Sequence, residues 1–92
     1  MDYFHYKEDA LYAEDVALKD VAEKYGTPAF IYSKATLERH ARAYINSFKS
    51  MNGLVCFSVK ALSNISILKT LKNSGCGFDI VSGGELHRAL LA

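Results

Sequence analysis

The sequence predicts an α/β fold in which parallel strands alternate with helices, and three observations carry that expectation. "LVCFSV" (54–59) and "FDIV" (78–81) are short runs rich in β-branched and aromatic residues, the composition of strands. Each is followed at once by a helical pattern. "NISILKTLKNSG" sets Ile67, Leu68 and Leu71 on one face, with Asn64 as cap and Gly75 as stop. "SGGELHRALLA" opens on the Ser-x-x-Glu spacing of a capping box at Ser82 and Glu85. Two successive βα units with short connections imply parallel strands with helices outside them.

The first half reads differently. "YFHYKEDALYA" (3–13) is expected to be a hairpin turning about Glu8 and Asp9. In "LKDVAEKYGTP", Leu18, Val21, Ala22 and Tyr25 share a helix face, and Gly26 and Pro28 end it. "AFIY" (29–32) reads as a short strand, followed by Ser33 as N-cap. Leu37, Ala41, Tyr44, Ile45 and Phe48 mark the apolar face of the next helix, which runs to about Lys49 before the Asn52-Gly53 turn. The expected organisation is an N-terminal arm at 1–32 (hairpin, helix, strand), then a barrel-like α/β segment at 33–92. Leu86, Ala89 and Leu90 form an apolar face just as the sequence stops. Two parallel strands cannot bury both faces of a sheet, and a closed (β/α)8 barrel takes about 250 residues. The chain is therefore expected to be a fragment.

Composition excludes several function classes. A 92-residue chain that is 50% hydrophobic with net charge +1 has the profile of an ordinary globular domain. So balanced a charge gives no support to a nucleic-acid partner. No stretch approaches the roughly 20 apolar residues of a membrane span, and the start "MDYFHYKED" is no signal peptide, so a cytoplasmic protein is expected. Cys56 and Cys76 lack metal-ligand spacing and read as reduced, packed thiols, and no metal site is expected.

Lys60 is the residue that calls for an explanation. On an extended strand, Val55, Phe57 and Val59 share one face, suited to packing under helices, while Leu54, Cys56, Ser58 and Lys60 share the other. That second face becomes small and then charged toward the C-terminal end, where parallel α/β folds collect their ligand groups. A lysine walled by apolar groups there has its pKa lowered and offers a neutral amine to an aldehyde. From the residues alone, a catalytic lysine and a solvated lysine at a strand exit both remain open.

"FSVKALSNISILKTLKNSG" resembles the pyridoxal-phosphate attachment segment of the alanine-racemase-like, fold type III barrel decarboxylases. Phe57, Lys60, Ala61, Ile67, Leu68, Leu71 and Gly75 fit its spacing of aromatic, lysine, small residue, helix core and glycine. "GFDIVSGGEL" is similar to that family's next block. "YGTPAFIYSKATLERH" is similar to the N-terminal segment of its diaminopimelate decarboxylase branch. The resemblance runs from about Tyr12 onward. It implies a (β/α)8 barrel binding pyridoxal 5'-phosphate, with the arm joining a separate β domain. Lys60 would be the Schiff-base lysine and a proton carrier after carbon dioxide leaves. Asp79 matches an acidic position that could orient the lysine amine, and Ser58 stands beside the cofactor ring where the family usually has alanine or proline. Leu62 replaces an asparagine frequent in the branch. The implied reaction is decarboxylation of meso-2,6-diaminopimelate to L-lysine by a homodimer with shared sites, so 92 residues alone are expected to be inactive.

Other polar residues have plainer readings. Glu85 matches a second acidic position, but the capping box explains it equally well. Gly83-Gly84 before a helix could cradle a phosphate, yet helix entry accounts for them. His5, His40 and His87 are scattered, Ser63 and Asn64 suit capping, and Lys34, Arg39 and Arg42 suit a solvated helix face. The alternatives are a sister decarboxylase acting on ornithine, arginine or carboxynorspermidine, a non-catalytic pyridoxal-phosphate-binding barrel, or an interaction module in which Lys60 is merely exposed.

Overall fold

Glu8 and Asp9 both adopt left-handed backbone, with φ of 48° and 63°. Positive φ at both central residues is the type I′ geometry whose twist matches that of paired strands. The turn joins β1 (Phe4–Lys7) to β2 (Ala10–Ala13) antiparallel, with Lys7 opposite Ala10 and Phe4 opposite Ala13. The His5 and Tyr12 rings stack across the pair at 5.9 Å. A second tight turn, with Glu14 at φ 56°, returns the chain into β3 (Val16–Ala17), a short strand that the sequence pattern did not suggest.

The computed structural model describes residues 3–92, which form two units, one ending at Thr36 and one spanning Leu37–Ala92. In the first unit, α1 (Leu18–Tyr25) follows β3 directly. It stops at Gly26, whose φ of 84° suits glycine and whose N–H donates to Ala22 O at 2.8 Å. Leu18, Val21 and Ala22 are half-buried, whereas Tyr25 is exposed. The strand expected at 29–32 is not formed. Those residues run irregularly, because a strand exists only through a ladder partner and "AFIY" has none among the described residues. Ser33 caps α2 (Lys34–Phe48) as expected, its Oγ accepting from Thr36 N at 3.1 Å.

Within the second unit, α2 turns its Leu37, Ala41 and Ile45 side inward; Tyr44, expected there, is exposed because it sits one step round the helix. A 3-10 turn at Lys49–Met51 and left-handed Asn52 carry the chain out. The parallel sheet is β4 (Cys56–Ser58) beside β5 (Gly77–Asp79). Both strands are shorter than expected, since only three residues on each find partners. Residues 59–61 coil into a 3-10 turn, and Val81 is exposed. Between them lies α3 (Ile65–Asn73), and α4 (Gly83–Leu91) follows β5.

The core of this unit centres on Ala41, Ile67, Leu71 and Cys76, with Val55, Phe57, Leu62 and Phe78 packed against it. α3 closes in a full Schellman motif: Gly75 N donates to Lys72 O at 2.9 Å and Cys76 N to Leu71 O at 3.1 Å. Gly75, at φ 102°, is the residue that permits it. The motif's usual apolar contact is Leu71 with Cys76, both buried in the cluster. Ser82 Oγ accepts from Glu85 N at 3.2 Å while Glu85 Oε2 accepts from Val81 N at 3.1 Å, so the capping box forms with its return bond one residue early. The apolar face expected on α4 is largely open, with Leu86 and Leu90 exposed.

Candidate functional site

The C-terminal ends of β4 and β5 lie side by side, and the alternation along β4 decides what stands there. Val55 and Phe57 are half-buried and Val59 is fully buried, while Leu54, Cys56 and Lys60 are exposed. The two expected faces therefore exist. Their continuation through Lys60 does not depend on an extended strand: Lys60 sits in the 3-10 turn Val59–Ala61, closed by Leu62 N donating to Val59 O at 3.1 Å. Lys60 is exposed together with Leu54 and Cys56, while Ser58 between them is half-buried.

Two flanking groups are brought together beside that turn. The parallel register puts Ser58 opposite Asp79, and Ser58 Oγ donates to Asp79 Oδ2 at 3.3 Å. Strand β4 delivers Ser58 as the last ladder residue before the turn, and β5 ends on Asp79. The close pairing needs Gly77: a Cβ there would lie 3.1 Å from Cys56 Sγ. Cys56 is thus exposed on the site side rather than packed, whereas Cys76 is buried; both are free thiols. Burial, with Cys56 nearby, pushes the Cys76 thiol up, which leaves it a poor nucleophile.

The loop after Lys60 is fastened at its far end. Asn64 Oδ1 accepts from Ser66 N at 3.0 Å and Ile67 N at 3.2 Å, capping α3 as expected. Arg88 Nη1, on α4, donates to Ser63 O at 3.3 Å, so Ser63 serves through its carbonyl rather than as a cap. Sequence reasoning missed this Arg88 tether, since a contact 25 positions away leaves no local pattern. Glu85 is occupied by its cap. Gly83 and Gly84 have no neighbour that a Cβ would crowd. His5, His40 and His87 are exposed, and no metal-holding cluster of His, Cys, Asp or Glu occurs among the described residues. No helix of the described residues is long and apolar enough to cross a membrane.

Comparisons with known proteins bear on what this arrangement belongs to. The family model for "Pyridoxal-dependent decarboxylase, pyridoxal binding domain" matches residues 34–92. The whole chain aligns with diaminopimelate decarboxylases of Vibrio cholerae, at 55% identity, and Haemophilus influenzae, at 50%, covering 22% of each. Among solved structures, 96% of the chain superposes on 22% of a protein from Aquifex aeolicus, with a TM-score of 0.90 and 40% identity. The same share superposes on 22% of the M. jannaschii diaminopimelate decarboxylase solved with L-lysine, at a TM-score of 0.88 and 32% identity. The chain thus spans about a fifth of the length of the proteins it matches.

Proposed function

Since the chain belongs to the pyridoxal-dependent decarboxylases, through their pyridoxal binding domain, we propose that it carries the cofactor lysine of an enzyme converting meso-2,6-diaminopimelate to L-lysine. The observation that carries the reading is the placement of Lys60 just beyond a strand end where Ser58 and Asp79 are hydrogen-bonded to each other.

The residues present fit pyridoxal phosphate. An exposed primary amine is open to an aldehyde, and the last strand residue before its turn, Ser58, is small, which would leave room beside a planar ring. The cofactor, when bound, supplies the electron sink for the carbanion left by carbon dioxide. Lys60 would hold it covalently, and its amine, when not so engaged, would carry a proton. Asp79 would orient the lysine amine, and Ser58 holds one of its carboxylate oxygens by its hydroxyl. The same reading makes 33–92 the start of the cofactor barrel and 1–32 an arm of a β domain, in a cytoplasmic homodimer. Support for the diaminopimelate branch comes from the two relatives at 50% and 55% identity over the whole chain.

A displacement experiment tests the substrate class. The chain, joined to the remaining length of a matched diaminopimelate decarboxylase so that the sites are complete, is loaded with pyridoxal phosphate and incubated with meso-diaminopimelate, ornithine, arginine or carboxynorspermidine. It is then reduced with borohydride, and the label left on Lys60 is measured. Selective loss with meso-diaminopimelate is expected; equal loss with all four amines would contradict the assignment.

A further inference from the structure

We propose that Glu14 is a charge-operated latch: its carboxylate ties the β2–β3 turn to the start of α2, holding residues 26–33 as a strap over an apolar cavity of the N-terminal unit, and neutralising it releases the strap. This inference does not rest on the decarboxylase reading.

The geometry is concentrated on one oxygen. Glu14 Oε1 accepts from Ser33 Oγ at 2.7 Å and from Ala35 N at 2.8 Å, lengths expected of strong bonds to an ionised acceptor. Ser33, only 5% exposed, in turn accepts from Thr36 N at 3.1 Å. One charge therefore organises two first-turn amides and a buried hydroxyl, where a helix N-terminus favours an anion. Glu14 is aimed there by its left-handed backbone and by its own N–H donating to Tyr3 O at 2.8 Å.

The strap has a second tie. At its other end Gly26 N donates to Ala22 O. Ile31 and Tyr32 of the strap, with Ala13, Val16 and Val21, line a cavity of about 250 Å³. Among the described residues Phe30 is 91% exposed and Tyr32 half exposed.

Glu14 is held below the usual carboxylate range, first by the Ala35 amide and then by Ser33. Lys34 on α2 adds its charge in the same direction, and exposed Asp15 adjoins Glu14 in the sequence. A depressed folded-state value means the latch contributes fully above the unfolded carboxylate value and is lost as pH falls through the folded one.

Amide hydrogen exchange on the chain tests it, comparing Ala35 and residues 27–33 with Leu68 and Leu71 of the second unit. In Glu14→Gln at neutral pH, exchange at Ala35 should rise about tenfold or more, with Leu68 and Leu71 unchanged. The unaltered chain should show the same rise only in acid, and the Gln variant no acid transition. Ser33→Ala, which removes one of the two bonds, should give a smaller local rise. Equal exchange at Ala35 in all variants, an acid opening that persists in Glu14→Gln, or a rise shared by Leu68 and Leu71 in both variants overturns the proposal.

Discussion

Ser58 and Asp79 face each other at the ends of the two parallel strands, joined by a 3.3 Å hydrogen bond from Ser58 Oγ to Asp79 Oδ2. The pair turns a sheet edge into a polar spot beside a lysine-bearing turn. Under the proposed function the three residues rank as follows: Lys60 would form the covalent bond, Asp79 would bear on the amine, and Ser58 would act through Asp79.

Asp79→Ala should therefore reduce pyridoxal phosphate attachment at Lys60 by about tenfold, the worth of one charge-assisted contact. Ser58→Ala should change it far less, because alanine keeps the space small. Label per Lys60 after borohydride reduction reads both. Equal labelling in all three proteins would remove Asp79 from the site.

Val59 and Leu68 are fully buried, and Val59 is the residue on which the Lys60 turn begins. Leu68→Ala should cost about 2–5 kcal/mol, a large part of the 5–15 kcal/mol available to a typical domain. Val59→Ala should cost less but loosen the turn. Urea midpoints give the first comparison; amide exchange at Leu62, whose N–H closes the turn, gives the second.

Asn64→Ala removes the acceptor for Ser66 N and Ile67 N and should cost about 1 kcal/mol, with Asn64→Asp nearly neutral. An unchanged thermal midpoint for the alanine variant would show that the cap is not supporting α3.

In the hairpin, Glu8→Asn with Asp9→Gly should stabilise the turn by about 1 kcal/mol, because both positions have positive φ. Slower exchange at the β1–β2 amides would confirm it; faster exchange would mean that the acidic side chains have partners more valuable than backbone ease.

Much of the fold was legible because its determinants are local. Asn64, Gly75, Ser33 and the Ser82–Glu85 box act within a few residues, and each cap or stop formed where the pattern put it. The alternation of β4 was legible for the same reason. Features set by distant partners were not. Ala29–Tyr32 has strand composition but lacks a ladder partner among the described residues, and β3 is only two residues long. Tyr44 and Leu90 were assigned inward on helical phase alone, which cannot say how wide a covered stripe is. Within the candidate site, strand alternation pointed to Lys60, and the family resemblance added Ser58 and Asp79. Only the parallel register explains how residues 21 positions apart meet. The Glu14 latch and the Arg88 tether were invisible, as each joins side chain to backbone across unrelated segments.

The central claim is that Lys60 is the cofactor lysine, and one measurement addresses it directly. The chain is mixed with pyridoxal phosphate, checked for the yellow absorbance of the lysine-bound cofactor, reduced with borohydride, and mapped by mass spectrometry. The account predicts label concentrated on Lys60 and lost in Lys60→Ala. Label spread evenly over the chain's lysines, or unchanged in that variant, would contradict it.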